Sequence, residues 1–174
     1  ETLLLKSNVV RVNYSETNDE AGLRLNSLKP PSDHKLVRPK NLKADVELKS
    51  HQEENLSTIQ FLHDLGDSYC KGVLLADDMG MGKTLQLLGL LSWHYERDPH
   101  SLPSLIVAPK ALLQNWSDEA EKFFVNFPEI LILHDSELKI RRQPKSMIAQ
   151  DLRNKGISNL LMPDWLGSNK AIIT

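Results

Sequence analysis

A single cysteine, Cys70, leaves this chain without the means to form an internal disulfide, which fits a reducing compartment. No partner residue for thiol chemistry stands near it in the sequence, so Cys70 is read as a packing residue rather than a nucleophile. No apolar run approaches the length of a membrane span, and no signal-peptide pattern opens the chain. A membrane partner is therefore not expected. The net charge of −2 supplies no global basic field, so any contact with nucleic acid has to come from a local patch. No internal repeat is visible. What remains is ordinary for a globular protein: 40% hydrophobic and 25% charged residues over 174 positions, enough for one domain or one domain with an extension. The chain opens on Glu1 and closes on the apolar run Ala171-Ile172-Ile173-Thr174, which reads as a piece of a longer protein.

One stretch carries chemistry. Residues 72–76, rich in Val and Leu, read as a buried strand; Asp77-Asp78-Met79-Gly80-Met81-Gly82 follows, then Lys83-Thr84 and a leucine-rich helical pattern. Strand, glycine-bearing loop and helix in that order make a phosphate-binding loop. Gly80 and Gly82 let the backbone approach a phosphate closely, and the loop N–H groups and helix N-terminus face the anion. Lys83 would reach the β- and γ-phosphates and Thr84 would ligate Mg²⁺. The first glycine of the full pattern G-x-x-x-x-G-K-[ST] is missing, because Asp77 stands there.

Around this loop the chain alternates. Residues 3–14 suggest one or two strands, and residues 15–43, with Pro30-Pro31 and Pro39, read as a linker or irregular loop. A helix is predicted from about Ser50, with Leu56, Ile59, Phe61, Leu62 and Leu65 on its apolar face and Gly66-Asp67 ending it. A second helix runs from Lys83 to about Glu96, with Leu87, Leu88, Leu91 and Tyr95 on one side. Residues 104–108 are a second buried strand closed by Pro109. Residues 111–124 are helical, with Leu112, Trp116, Ala120 and Phe123 in a stripe. Residues 130–133 are a third strand, residues 136–154 a polar helix interrupted at Pro144, and residues 170–174 a fourth strand. Short apolar strands alternating with helices predict an α/β fold: a doubly wound, mostly parallel sheet with helices on both faces, the phosphate loop at a strand's C-terminal end.

Three segments in order narrow the reading: Leu48-Lys49-Ser50-His51-Gln52 at a helix start; Asp77-Asp78-Met79-Gly80-Met81-Gly82-Lys83-Thr84-Leu85-Gln86; and Leu105-Ile106-Val107-Ala108-Pro109-Lys110-Ala111-Leu112-Leu113-Gln114-Asn115-Trp116. Together they resemble the Swi/Snf family of ATP-dependent DNA translocases within helicase superfamily two, over about residues 48–174. Asp78 replaces the family's usual Glu and Met81 its usual Leu. The Leu-Lys-x-His-Gln and Asp-Asp-Met-Gly forms look most like bacterial members.

The resemblance implies a partial RecA-like lobe over residues 47–174, after an extension and linker over residues 1–46. It implies ATP and Mg²⁺ as cofactors. Gln52 would recognise adenine, whose edge suits an amide that both donates and accepts. Met79, Gly80, Met81, Gly82, Lys83, Thr84 and Leu85 would form the nucleotide cradle, with Lys83 catalytic and Thr84 on the metal. Lys110, Gln114, Asn115 and Thr174 would lie toward the backbone of double-stranded DNA. Trp116 is read as a packing anchor, and the run Lys139, Arg141, Arg142 and Lys145 as a solvated face. In this family an Asp-Glu-x-His or Asp-Glu-x-Gln segment aligns Mg²⁺ and the attacking water, and a second RecA-like lobe supplies arginine fingers. The resemblance places both beyond Thr174, so the parent is expected to be an ATPase motor and the fragment alone inactive. Its setting would be the bacterial cytoplasm, or the nucleus in a eukaryote. Two alternatives stay open: another superfamily-two motor, such as a restriction-enzyme translocase or RNA helicase, and a non-catalytic binding module that responds to nucleotide.

Overall fold

A computed structural model of the chain describes residues 28–66, 70–134 and 171–174, with the single positions 139, 146, 150 and 154. The expected strands at 3–14, most of the polar helix at 136–154, and Arg141, Arg142 and Lys145 lie outside the described residues. By compactness the chain divides into two units: residues 1–97 with 123–125, and residues 98–122 with 126–174.

The first unit is built on two helices. Helix α1 spans Ser50–Leu65 and α2 spans Lys83–Arg97. Gln52, the third residue of α1, receives the backbone N–H of the N-cap residue Lys49 on its side-chain oxygen at 3.0 Å, half of a capping box. The helix stops at Gly66, whose φ of 74° closes a turn back to the His63 carbonyl. Leu56, Ile59 and Leu62 are buried, but so are Gln52, Asn55, Thr58 and Gln60. Each polar group has work there. Gln60 pairs with both backbone groups of Val37, accepting at 3.0 Å and donating at 2.8 Å, and so fastens the segment before α1 along the helix. His34 meets the Ser57 carbonyl at 3.1 Å in the same seam. The Glu96 carboxylate takes the backbone N–H groups of Lys40 and Asn41, both at 3.0 Å, and Leu42 bridges Phe124 antiparallel. Helix α2 packs on α1 at Gly89, where an added Cβ would come within 3.1 Å of Leu56.

The second unit carries a three-stranded sheet: β1 (Ser104–Ile106), β2 (Ile130–Ile132) and β3 (Ala171–Ile173), in the order β1-β3-β2. Both pairings are parallel, with Ala171 opposite Ser104 on one side and Ile130 on the other. A parallel pair needs a crossover connection. Between β1 and β2 it is a 3₁₀ turn, Lys110–Leu112, running into helix α3, Leu113–Phe123. The central strand β3 is buried at all three residues. The α/β class with a parallel sheet agrees with the sequence pattern.

Four details differ from the sequence reading. Residues 72–76 form no strand among the described residues; Leu74 makes one isolated bridge and is 52% exposed. Apolar composition supplies a strand's side chains, but a strand also needs a ladder partner, and the ladders among the described residues join only β1, β2 and β3. The segment expected as a second buried strand has Leu105 and Val107 exposed at 64% and 77%, alternate positions that fall on one face of the extended chain. On α2 the buried face is Leu85, Gln86, Leu88, Gly89, Ser92, Trp93 and Tyr95, while Leu87 and Leu91 are half-buried. On α3 the inward positions are Leu113 and Ala120, with Phe124 just beyond, and Trp116 is half-buried.

Candidate nucleotide-binding site

The loop between residues 76 and 83 owes its shape to two glycines. Gly80 has φ of 83° and Gly82 φ of 78°, left-handed values that other L-residues adopt at a cost. The Met81 N–H turns back to the Asp78 carbonyl at 3.4 Å, and α2 begins at Lys83. A loop folded over the N-terminus of a helix aims unsatisfied N–H groups and the positive end of the helix dipole at one place, which suits an anion. The two glycines play different parts. A Cβ on Gly80 would meet open space, whereas one on Gly82 would collide with the Gln52 amide.

Lys83 closes the loop on itself. Its Nζ donates to the carbonyls of Asp77 at 2.7 Å and Asp78 at 2.8 Å. An ammonium has three donors, so the same group can keep these carbonyls and reach a phosphate oxygen. Thr84 stands next to it in the first turn of α2, half-buried. Met79 is 96% exposed at the loop tip, and Leu85 is buried, so Leu85 can serve a ligand only through its backbone.

Gln52, which the family resemblance puts at the nucleotide, lies against the loop. Its amide is already engaged at both ends: the oxygen by Lys49 N–H, and Nε2 by the Met81 carbonyl at 3.0 Å. One N–H and one lone pair of the amide are left over for an adenine edge.

Three neighbours were not singled out by sequence. Asn55, buried one turn beyond Gln52, donates to the Asp77 carboxylate at 2.8 Å and so ties α1 to the residue that replaces the missing first glycine. His51 Nε2 approaches the Met81 carbonyl at 3.3 Å, as does Gln86 Nε2. The signal for Asn55 was present: an amide three residues after Gln52 shares its helix face. Among the described residues no group of three or more His, Cys, Asp or Glu side chains could hold a metal ion.

The residues expected to face nucleic acid belong to the second unit. Lys110, Gln114 and Asn115 are exposed at the start of the crossover. Thr174 follows β3, donating its N–H to the Ile106 carbonyl at 3.0 Å and accepting from the Ala108 N–H at 3.0 Å. Lys110 and Thr174 thus stand near the C-terminal ends of neighbouring parallel strands, the end at which open α/β sheets bind ligands. Gln114 spends its amide on Asp118 at 2.9 Å. Burial raises the Glu119 carboxyl above its ordinary range, against the lowering effect of Lys122.

A family model described as SNF2-related domain matches residues 10–157. The chain is 44% identical over 138 residues to Zorya protein ZorD of Escherichia coli, covering 78% of the chain and 13% of that protein. It is 33% identical over 153 residues to the probable ATP-dependent DNA helicase CHR12 of Arabidopsis thaliana, covering 84% of the chain and again 13% of the relative. The chain therefore spans about an eighth of the length of these relatives. Its fold is similar to the Sulfolobus solfataricus SWI2/SNF2 ATPase core in complex with dsDNA, with a TM-score of 0.55 and 28% identity over 80% of this chain and 23% of that one.

Proposed function

The chain belongs to the SNF2-related domain family, and on that premise we propose that it is the nucleotide-binding part of an ATP-dependent translocase of double-stranded DNA. The observation that carries the proposal is the loop at the head of α2, with two left-handed glycines and the Lys83 ammonium inside it. In this reading the loop N–H groups and Lys83 hold the β- and γ-phosphates. Mg²⁺, which favours oxygen ligands and keeps close to substrate phosphates, takes the Thr84 hydroxyl. The family's Asp-Glu segment, which aligns Mg²⁺ as well as the attacking water, would complete that site. Residues 47–174 form part of the RecA-like lobe and residues 1–46 an extension before it. A second lobe of the same parent chain closes over the nucleotide and supplies the charge that completes hydrolysis.

The DNA assignment draws on the family and on the solved relative named with duplex DNA. Lys110, Gln114, Asn115 and Thr174 supply a local strip for a phosphate backbone, and the start of α3 adds N–H groups. Such contacts read no bases. The full-length ATPase is expected to rise with duplex DNA of any sequence and to lose that stimulation as salt increases. A triplex-forming strand should be displaced while a plain duplex stays paired. The comparison to make is ATPase rate with duplex DNA, single-stranded DNA and RNA, alongside both displacement assays. Selective stimulation by RNA, or efficient unwinding of a plain duplex, would assign the chain to a different superfamily-two motor. No helix among the described residues is long and apolar enough to cross a membrane, and the proposed setting is the compartment that holds the DNA: bacterial cytoplasm or eukaryotic nucleus.

Gln52 is proposed to set the base preference. Guanine exchanges donor for acceptor at the edge an amide would read, so a site built for adenine leaves a buried polar group unmatched. The Gln52→Ala variant is expected to lose its preference for ATP over GTP. Steady-state rates with both nucleotides check this, and an unchanged preference removes Gln52 from base recognition.

A further inference from the structure

We infer that Gln86 is a positioning residue for the phosphate site, acting with His51 and Gln52 through the Met81 carbonyl; the inference rests on the nucleotide reading given above. Three side-chain nitrogens converge on that one oxygen: Gln52 Nε2 at 3.0 Å, His51 Nε2 at 3.3 Å and Gln86 Nε2 at 3.3 Å. A carbonyl oxygen has two lone pairs, so one more donor is in reach than it can fully satisfy. No peptide bond among the described residues is cis. Across the planar trans unit the Met81 carbonyl and the Gly82 N–H point in opposite directions. Holding the carbonyl toward α1 therefore turns the Gly82 N–H away from α1, and an anion cradle needs its N–H groups turned to the ligand. Gly82 also has a φ of 78° and sits against the Gln52 amide, whereas the equally left-handed Gly80 has open space around it, so it is the Met81–Gly82 peptide whose orientation its neighbours hold.

Gln86 is the donor with no other evident task. It lies in the first turn of α2, at 0% exposure, and its Oε1 is buried without a hydrogen-bond partner. A buried amide with half its polar capacity unmet is costly, and an apolar side chain of similar shape would avoid the cost. Its other end reaches the Met81 carbonyl. Gln52, by contrast, has a second N–H and a second lone pair left to read a base, and turning toward one loosens its hold on the Met81 carbonyl. Gln86 and His51 then keep the carbonyl held while Gln52 moves, so that base recognition does not loosen the phosphate cradle.

The test separates phosphate from base by using tripolyphosphate, which has no adenine, as a competitor of a fluorescent ATP analogue on the full-length protein. Gln86→Met keeps the length of the side chain and removes its donor. In the wild-type background it is expected to weaken tripolyphosphate only about two- to three-fold, because Gln52 and His51 still fill both lone pairs of the carbonyl. The loss should be larger in a Gln52→Ala background, where His51 alone remains, and a purely structural role for Gln86 would not produce that dependence. A second variant leaves the interior of α2 untouched. His51→Ala with Gln52→Ala keeps Gln86 as the only donor and is expected to retain tripolyphosphate binding well above the level of Lys83→Ala. Unchanged affinity in Gln86→Met in both backgrounds, or collapse of the His51 and Gln52 double variant to the Lys83→Ala level, would overturn the inference. Failure of the wild-type protein to bind tripolyphosphate or ATP would overturn the nucleotide reading, and this inference with it.

Discussion

Replacing Lys83 by alanine is expected to lower ATP turnover by the full-length protein roughly 10²–10³-fold, the scale of removing one preorganised donor to transition-state charge. The ammonium is held at the mouth of the loop by two backbone carbonyls, Asp77 and Asp78, so it is placed before the nucleotide arrives. Its charge counts most where negative charge gathers on the γ-phosphoryl oxygens during transfer. The fold should survive the change. Lys83 is half-buried and its partners are loop carbonyls that water can reach, so no apolar core residue loses its packing. Turnover is measured on protein purified identically to an inactive control, with circular dichroism to confirm folding. Wild-type turnover in the folded variant would contradict the assignment of the loop.

The second large effect concerns what this chain can do alone. With duplex DNA present, the 174-residue chain is expected to turn over ATP about 10³–10⁵-fold more slowly than the full-length protein, the span attributed to an arginine finger alone. Phosphoryl transfer asks for a positioned water and for charge on both sides of the phosphate. The described loop supplies one side. Two Asp-Glu pairs occur in the sequence, Asp19-Glu20 and Asp118-Glu119, but Ala-Gly and Ala-Glu follow them rather than a residue and then His or Gln. Asp118 is moreover bonded to Gln114 on α3. A steady-state assay of the isolated chain against the full-length protein decides this, and comparable rates would show that the 174 residues already contain a complete catalytic site.

Much of the loop was legible from residue types, because its demands are local. Positive φ at Gly80 and Gly82 needs glycine, a lysine after the second glycine reaches back over the loop, and Gly66 ends a helix wherever the pattern stops. The parallel pairing of the strands was legible from short apolar strands with helical segments between them, but their order, β1-β3-β2, was not. Other features were set by partners far away in sequence. The run at 72–76 has the composition of a strand but among the described residues shows a bridge at Leu74 alone. Helix α1 hides four polar side chains, and apolar periodicity is blind to them: Gln60 is buried for Val37, Asn55 for Asp77, Gln52 for Met81. The apolar stripe on α3 was displaced for a simpler reason. A 3₁₀ turn at Lys110–Leu112 precedes the helix, and its tighter winding shifts the phase that a uniform 3.6-residue period assumes, turning Leu113 inward and leaving Leu112 outside.

The claim at the centre of this account is that residues 77–84 hold the phosphates of ATP, and amide hydrogen exchange on the full-length protein reads that segment directly. Saturating ATP with Mg²⁺ should slow exchange in peptides covering Gly80, Gly82, Lys83 and Thr84, and tripolyphosphate should slow the same amides. Lys83→Ala should lose most of that protection at equal nucleotide concentration. ATP binding that protects other segments and leaves residues 77–84 unchanged would contradict it.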